Sequence, residues 1–206
     1  IEGGPMIHLI DSRFWNGTRL PVGLADVRGF YGKVSEGGWR PDNTAYLWLE
    51  HQRRACRHLK LPFGGFHYWR NYYDPIAQVD AFASRLDAPE LPPALDFEDP
   101  YATTGAGARI LTFVREAVKT LGGQPLVYTR QGWWNKWVSA EQAAEIASLC
   151  DLWVAHYTTL PAPLLPRGWT DWVMWQFQGD VKVPGMSGGV DFDRARPAWF
   201  DQFVSL

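Results

Sequence analysis

Eight short apolar runs of strand type recur along the chain, at Ile7–Asp11, Gly29–Val34, Phe63–Trp69, Ala94–Glu98, Leu126–Thr129, Leu152–Tyr157, Val173–Phe177 and Val190–Phe192. Helical patterns fall between several of them. Thr44–Leu59 follows a turn-like Pro41-Asp42-Asn43, and Ile76–Leu86 puts Ile76, Val79, Phe82 and Ala83 on one stripe behind Asp74-Pro75, an N-cap followed by a first-turn proline. Ala108–Leu121 repeats apolar residues at helical spacing and stops at Gly122-Gly123, and Ser139–Leu149 opens on a Ser139/Gln142 capping box. Strands alternating with helices predict an α/β fold with a parallel sheet, and eight strands predict a closed βα barrel. The alternation fails after Tyr157, where Pro161–Gly168 is proline-rich and Gln178–Gly189 glycine-rich. The barrel is therefore expected to be irregular, with incomplete helices on its later side and room there for an antiparallel strand.

The chain has 206 residues, 46% of them hydrophobic, which suits one domain with a sizeable core; residues 7–206 read as that domain. Ile1–Pro5 read as an expression scar ahead of Met6. A formal charge of −2 with no charged run argues against nucleic-acid or anionic-membrane partners, and neither a secretory leader nor a membrane span is read. Twelve tryptophans are heavy for an ordinary core and suit a groove that stacks on flat ligands. Gly132–Trp137, where Gly, Asn and Lys interrupt the rings, reads as a loop surface. Cys56 and Cys150 lack metal or redox spacing and read as buried thiols, with a bridge between them left open. The five histidines show no ligand spacing, so neither a metal nor a cofactor is expected.

The chemistry concentrates in Pro92-Pro93-Ala94-Leu95-Asp96-Phe97-Glu98-Asp99-Pro100. Strand alternation puts Asp96 and Glu98 on one face with Cβ atoms roughly 7 Å apart, so each charge raises the cost of ionising the other. One carboxyl then stays protonated as a general acid while its neighbour stays anionic, the division of labour of glycoside hydrolysis. Barrel reactions occur at strand ends, where Asp11 also lies, and closure would bring the first strand beside the last, which carries Asp191. Four acids converging on one mouth is hard to ascribe to turn and cap formation alone.

At these motifs the chain resembles glycoside hydrolase family 25, the Chalaropsis-type lysozymes that cleave bacterial cell-wall glycan. The family's D-V-S-x-W-Q-G is similar to Asp11-Ser12-Arg13-Phe14-Trp15-Asn16-Gly17, and its F-x-x-x-K-A-T-E-G to Gly29–Gly37 with Lys33 and Glu36. Its G-x-Y-H-F resembles Gly64-Gly65-Phe66-His67-Tyr68, and its L-D-x-E is Leu95-Asp96-Phe97-Glu98. Tyr128-Thr129, Leu152–Tyr157, Trp175-Gln176 and Val190-Asp191-Phe192 follow in the family order.

The resemblance implies an irregular, flattened βα barrel and a muramidase that acts as a monomer on peptidoglycan, at the bacterial wall. By it, Glu98 is the general acid, Asp96 stabilises the reacting 2-acetamido group or the oxocarbenium charge, and Asp11 and Asp191 flank the cleaved sugar. Substrate binding falls to Trp15, Lys33, Glu36, His67, Tyr68, Tyr128, Tyr157, Trp175 and Gln176. Assistance by the N-acetyl group is favoured over a carboxylate nucleophile, because no second acid stands in an obvious nucleophile position. Arg13 and Ser12 depart from the family's serine and valine, and Phe66 from its tyrosine. Two rival readings are a metal-assisted hydrolase built on the carboxylates and a non-catalytic glycan-binding barrel.

Overall fold

A computed structural model of the chain describes residues 6–13, 26–38, 43–183 and 186–204. Its strands are β1 (Ile7–Ser12), β2 (Val27–Glu36), β3 (Phe63–Tyr68), β4 (Ala94–Asp96), β5 (Leu126–Thr129), β6 (Asp151–Ala155), β7 (Met174–Lys182) and β8 (Gly189–Ala195). They close into one barrel in chain order. Neighbours are parallel from β1 through β7, and β8 completes the ring by pairing antiparallel with both β7 and β1. The expected eight-stranded barrel, irregular on its later side, is thus the observed one.

Strand alternation sorts the apolar residues into two layers. Inward side chains such as Leu9, Tyr31, Phe66, Ala94, Tyr128, Trp153 and Met174 fill the barrel. Outward ones such as Ile10, Phe30, Leu95, Phe97 and Val127 form the core beneath the helices. Tyr31 and Gly64 are partners across β2 and β3, and the Tyr31 ring occupies the place of a Gly64 side chain, since a Cβ there would lie 2.2 Å from it. Glycine is therefore required at that position by close approach.

The helices are α1 (Asn43–Leu59), α2 (Pro75–Ala83), α3 (Ala106–Leu121), α4 (Gln131–Trp137), α5 (Ala140–Leu149) and α6 (Pro197–Phe200). Asp74 caps α2 by accepting from the Ile76 and Ala77 amides, and Ser139 and Gln142 form the expected capping box on α5. No described helix is long and apolar enough to cross a membrane.

Two segments differ from the sequence reading. Gly132–Trp137 is the body of α4, not a loop surface: Trp133 and Trp134 are buried, and their indole N–H groups donate to the Asp99 and Arg167 carbonyls at 3.0 Å. Those two bonds satisfy the ring nitrogens and let both rings join the core. The glycine-rich stretch after Phe177 extends β7 and, from Gly189, opens β8, with Val181 paired to Val190 and Lys182 to Gly189. Cys56 and Cys150 are both buried and free, and burial pushes the Cys56 thiol up to about 12.

Candidate active site

The parallel strands deliver their C-terminal ends to one mouth, which receives Asp11 from β1, Asp96 from β4 and, two residues further, Glu98. β8 runs the other way, so its beginning lies at the same mouth. Asp191, near that beginning, pairs in register with Asp11 although 180 positions separate them. Gln176 joins the two acids: its Nε2 donates to Asp11 Oδ2 at 2.7 Å and reaches Asp191 Oδ2 at 3.5 Å. The other end of the same amide, Oε1, accepts from the Tyr128 and Tyr157 hydroxyls at 2.9 and 2.6 Å. Two phenols and two carboxylates are thus oriented by one side chain. The Asp180 amide donates to Asp191 Oδ1 at 2.8 Å.

The four acids, Gln176 and Tyr128 line a cleft of about 310 Å³, whose walls also include Arg13, Lys33, Glu36, Phe66, Tyr68, Arg70 and Trp153. Beyond Glu98 and Tyr128 it continues into a hollow of about 420 Å³ lined by Arg130, His156, Tyr157 and Leu164. On the other side, past Asp11, Arg13 and Asp191, lies a third hollow of about 320 Å³ bordered by Asp180 and Lys182. Consecutive hollows sharing walls make a groove across the barrel mouth, a shape that suits a chain-like ligand.

Burial and mutual repulsion dominate the electrostatics. Burial pushes the Asp96 carboxyl well above the usual range and Glu98 raises it further, while Lys33 opposes both. Burial also raises the Glu98 carboxyl, against the pull of Arg130 and Arg13. Burial and Asp191 push Asp11 up to about 8. Asp96 and Glu98 are thus both pushed toward protonation, each opposed by nearby cations. On the opposite wall Lys33 pairs with Glu36, and Arg70 bridges Glu36, at 2.7 Å through Nε, to Asp99, at 3.0 Å. Burial disfavours a charge on Glu36, but Lys33 and Arg70 outweigh it and hold its carboxyl below the usual range. The Lys33 ammonium and the Arg70 guanidinium each lie 4.6 Å from the centre of the Tyr68 ring, which fixes that ring at the cleft wall.

The cleft brings together Glu98, Asp96, Asp11, Asp191, Lys33, Glu36, Tyr68, Tyr128 and Gln176, with Tyr157 along the adjoining hollow. Two expected residues are elsewhere. His67 alternates with the inward Phe66 and Tyr68 and so points outward, fully buried between Ser35, Gln78, Phe82 and Phe113. Burial lowers its imidazole to about 3, so it is a neutral core group and does not bind at the mouth. Trp175 likewise alternates with the inward Gln176; it packs against Trp172 and Phe177 on the outer face, and its indole donates to the His156 carbonyl at 2.7 Å. Trp15 lies outside the described residues. Phe97 belongs to the core, and β4 ends at Asp96, so Glu98 stands just beyond the strand rather than on it.

Sequence reasoning missed Arg70, Arg130, Trp153 and Asp193. Alternation was the available signal for two of them, since Trp153 lies between outward Leu152 and Val154, and Asp193 is two residues from Asp191. The arginines carry no comparable mark, because loop positions have no fixed period.

The sequence pattern of the family described as Glycosyl hydrolases family 25 matches residues 15–186. The chain belongs to that family. The family-25 match contains Asp96, Glu98 and Gln176, while Asp11 and Asp191 flank it and are placed by barrel closure. Lysozyme M1 of Streptomyces globisporus is 31% identical over 142 residues, covering 62% of this chain and 47% of that protein, so the chain spans about half the length of this curated relative. The crystal structure of the lysozyme from Streptomyces coelicolor superposes with a TM-score of 0.79 at 25% identity, covering 96% of each chain. The family-25 lysozyme from Aspergillus fumigatus gives the same TM-score at 22% identity, over 98% of this chain and 100% of that one, a likeness of fold.

Proposed function

We propose that this chain is a peptidoglycan hydrolase that cleaves the β-1,4 bond between N-acetylmuramic acid and N-acetylglucosamine, with residues 7–206 as a single catalytic domain acting as a monomer on the bacterial wall. The observation that carries this reading is the pair Asp96 and Glu98, side by side in an open groove and both pushed toward protonation, in a family-25 chain. Glu98 gives its proton to the leaving glycosidic oxygen. Asp96 Oδ1 is buried and has no hydrogen-bond partner among the described residues, which suits it to accept the N–H of a 2-acetamido group. Held that way, the acetamido carbonyl oxygen attacks the anomeric carbon as the glycosidic bond breaks, giving an oxazolinium ion paired with Asp96. Glu98, now a carboxylate, takes a proton from water, which adds to the anomeric carbon and reopens the ring.

Asp11, Asp191 and Gln176 flank the cleaved sugar with fixed polar groups that need no reorganisation as charge develops. Tyr68 and Tyr128 wall the cleft; Tyr157, 60% exposed with its hydroxyl tied to Gln176, presents a ring face for sugar stacking in the adjoining hollow. Lys33 and Glu36 hold the substrate from the opposite wall.

Digesting purified peptidoglycan, reducing the new ends with borohydride and analysing the fragments by mass is the test. Muramitol at the new ends is the expected result. Glucosaminitol ends, or no new ends, would overturn the assignment.

A further inference from the structure

The barrel interior holds one carboxyl that this chemistry does not use. Asp193 lies two residues past Asp191 on the same face of β8 and one layer deeper, opposite Leu9 of β1 and Gln176 of β7. It is completely buried. The Trp153 indole N–H donates to its Oδ1 at 2.8 Å, its Oδ2 is buried and meets no donor among the described residues, and the register of β8 on β1 sets its carboxyl diagonally beside that of Asp11 on the inward face. Two carboxylates side by side inside a dry core repel each other, so the arrangement is stable only when a proton lies between them. Their surroundings decide which one keeps it. Asp11 sits at the mouth, accepts the Gln176 amide at 2.7 Å and feels the charge of Arg13, whereas Asp193 has a single indole N–H. The anion belongs on Asp11.

We propose that Asp193 is a positioning residue, a neutral carboxylic acid whose O–H donates to Asp11 and fixes the Asp11 carboxylate at the cleft; only its catalytic consequence rests on the muramidase reading. Among the described residues, the other titratable and charged groups that face the pair are Asp191 on β8, Asp96 on β4, Tyr31 on β2, Tyr128 on β5, Tyr157 beyond β6 and Arg13 after β1. Burial raises both carboxyls; the Gln176 amide and Arg13 oppose it at Asp11, which is left at about 8, and the Trp153 indole opposes it at Asp193.

The test compares the wild type with Asp193→Asn and Asp193→Leu. At pH 9 the infrared difference between wild type and Asp193→Asn should contain the carbonyl band of a protonated carboxylic acid. Asn still offers an N–H to Asp11, so the pH profile of hydrolysis should stay where it is. Leu removes the donor, and kcat should fall about tenfold or more at unchanged KM, with the profile moved to higher pH, as expected for a lost hydrogen bond to a charged group. Carboxylate bands in the difference spectrum, or an acid-ward shift of the Asn profile from removing a negative charge beside Asp11, would overturn the proposal. If the Leu variant does not fold, as judged by thermal melting, the spectrum and the Asn profile decide it. The spectrum needs no substrate, so an acid band in a chain inactive on peptidoglycan would defeat the muramidase reading alone.

Discussion

Glu98→Gln should leave a folded protein whose turnover on peptidoglycan is lower by about 100-fold to 10,000-fold, the range that a positioned general acid supplies. The substitution keeps the shape and the polar edge at the cleft and removes only the transferable proton. Substrate affinity should change little, because the loss falls on the chemical step. Two further readouts tie the loss to acid catalysis. In the wild type, kcat/KM should decline on the alkaline side as Glu98, raised by burial against the pull of Arg130 and Arg13, gives up its proton. The sign follows from the role: an acid works while protonated, so activity is lost as pH rises through its raised value. An aryl glycoside whose leaving group departs without protonation should be cut by the Gln variant at a rate much nearer the wild type. A Gln variant that digests walls at the wild-type rate would remove Glu98 from the mechanism.

Asp96→Asn should cost about 100-fold to 1,000-fold in kcat with KM nearly unchanged, the size of effect seen when one preorganised electrostatic stabiliser is removed. Asn retains an oxygen that can accept the acetamido N–H but supplies no charge to balance the oxazolinium ion. The same change should raise the melting temperature at pH 7 and above. A carboxyl raised on folding contributes stability below its unfolded value and loses it as pH climbs, so the buried Asp96 is a burden at neutral pH that Asn relieves. Lower activity with higher stability is the signature of a strained functional group. Lower activity with a lower melting temperature would instead make Asp96 a structural residue.

Much of this was legible in the sequence because strands have a period of two. The alternation of Leu95, Asp96, Phe97 and Glu98 put both acids at one cleft and both apolar residues in the core, and the structure keeps that division even though β4 stops at Asp96. Closure of eight strands likewise brought Asp11 beside Asp191. The same rule, applied one residue further, removes His67 and Trp175 from the mouth, since each lies between inward neighbours or beside one; motif resemblance had overridden it. The Trp133 and Trp134 helix was hidden by Gly132, Asn135 and Lys136, whose polarity suggested a loop, while the bonds that satisfy the two indoles come from carbonyls in distant loops. Gln176 was expected as a binding residue, but its role as the link between two tyrosines and two aspartates depends on four strands and a loop meeting, which no local pattern reports.

The division of labour between Asp96 and Glu98 is tested most directly by the configuration of the first product. Proton NMR on a soluble wall oligosaccharide, recorded within the first turnovers and before mutarotation, distinguishes the anomers of the new reducing sugar. Attack by the acetamido oxygen followed by water inverts the anomeric carbon twice, so the β anomer should appear first. The α anomer appearing first would mean that water attacks directly, and would contradict the role given to Asp96.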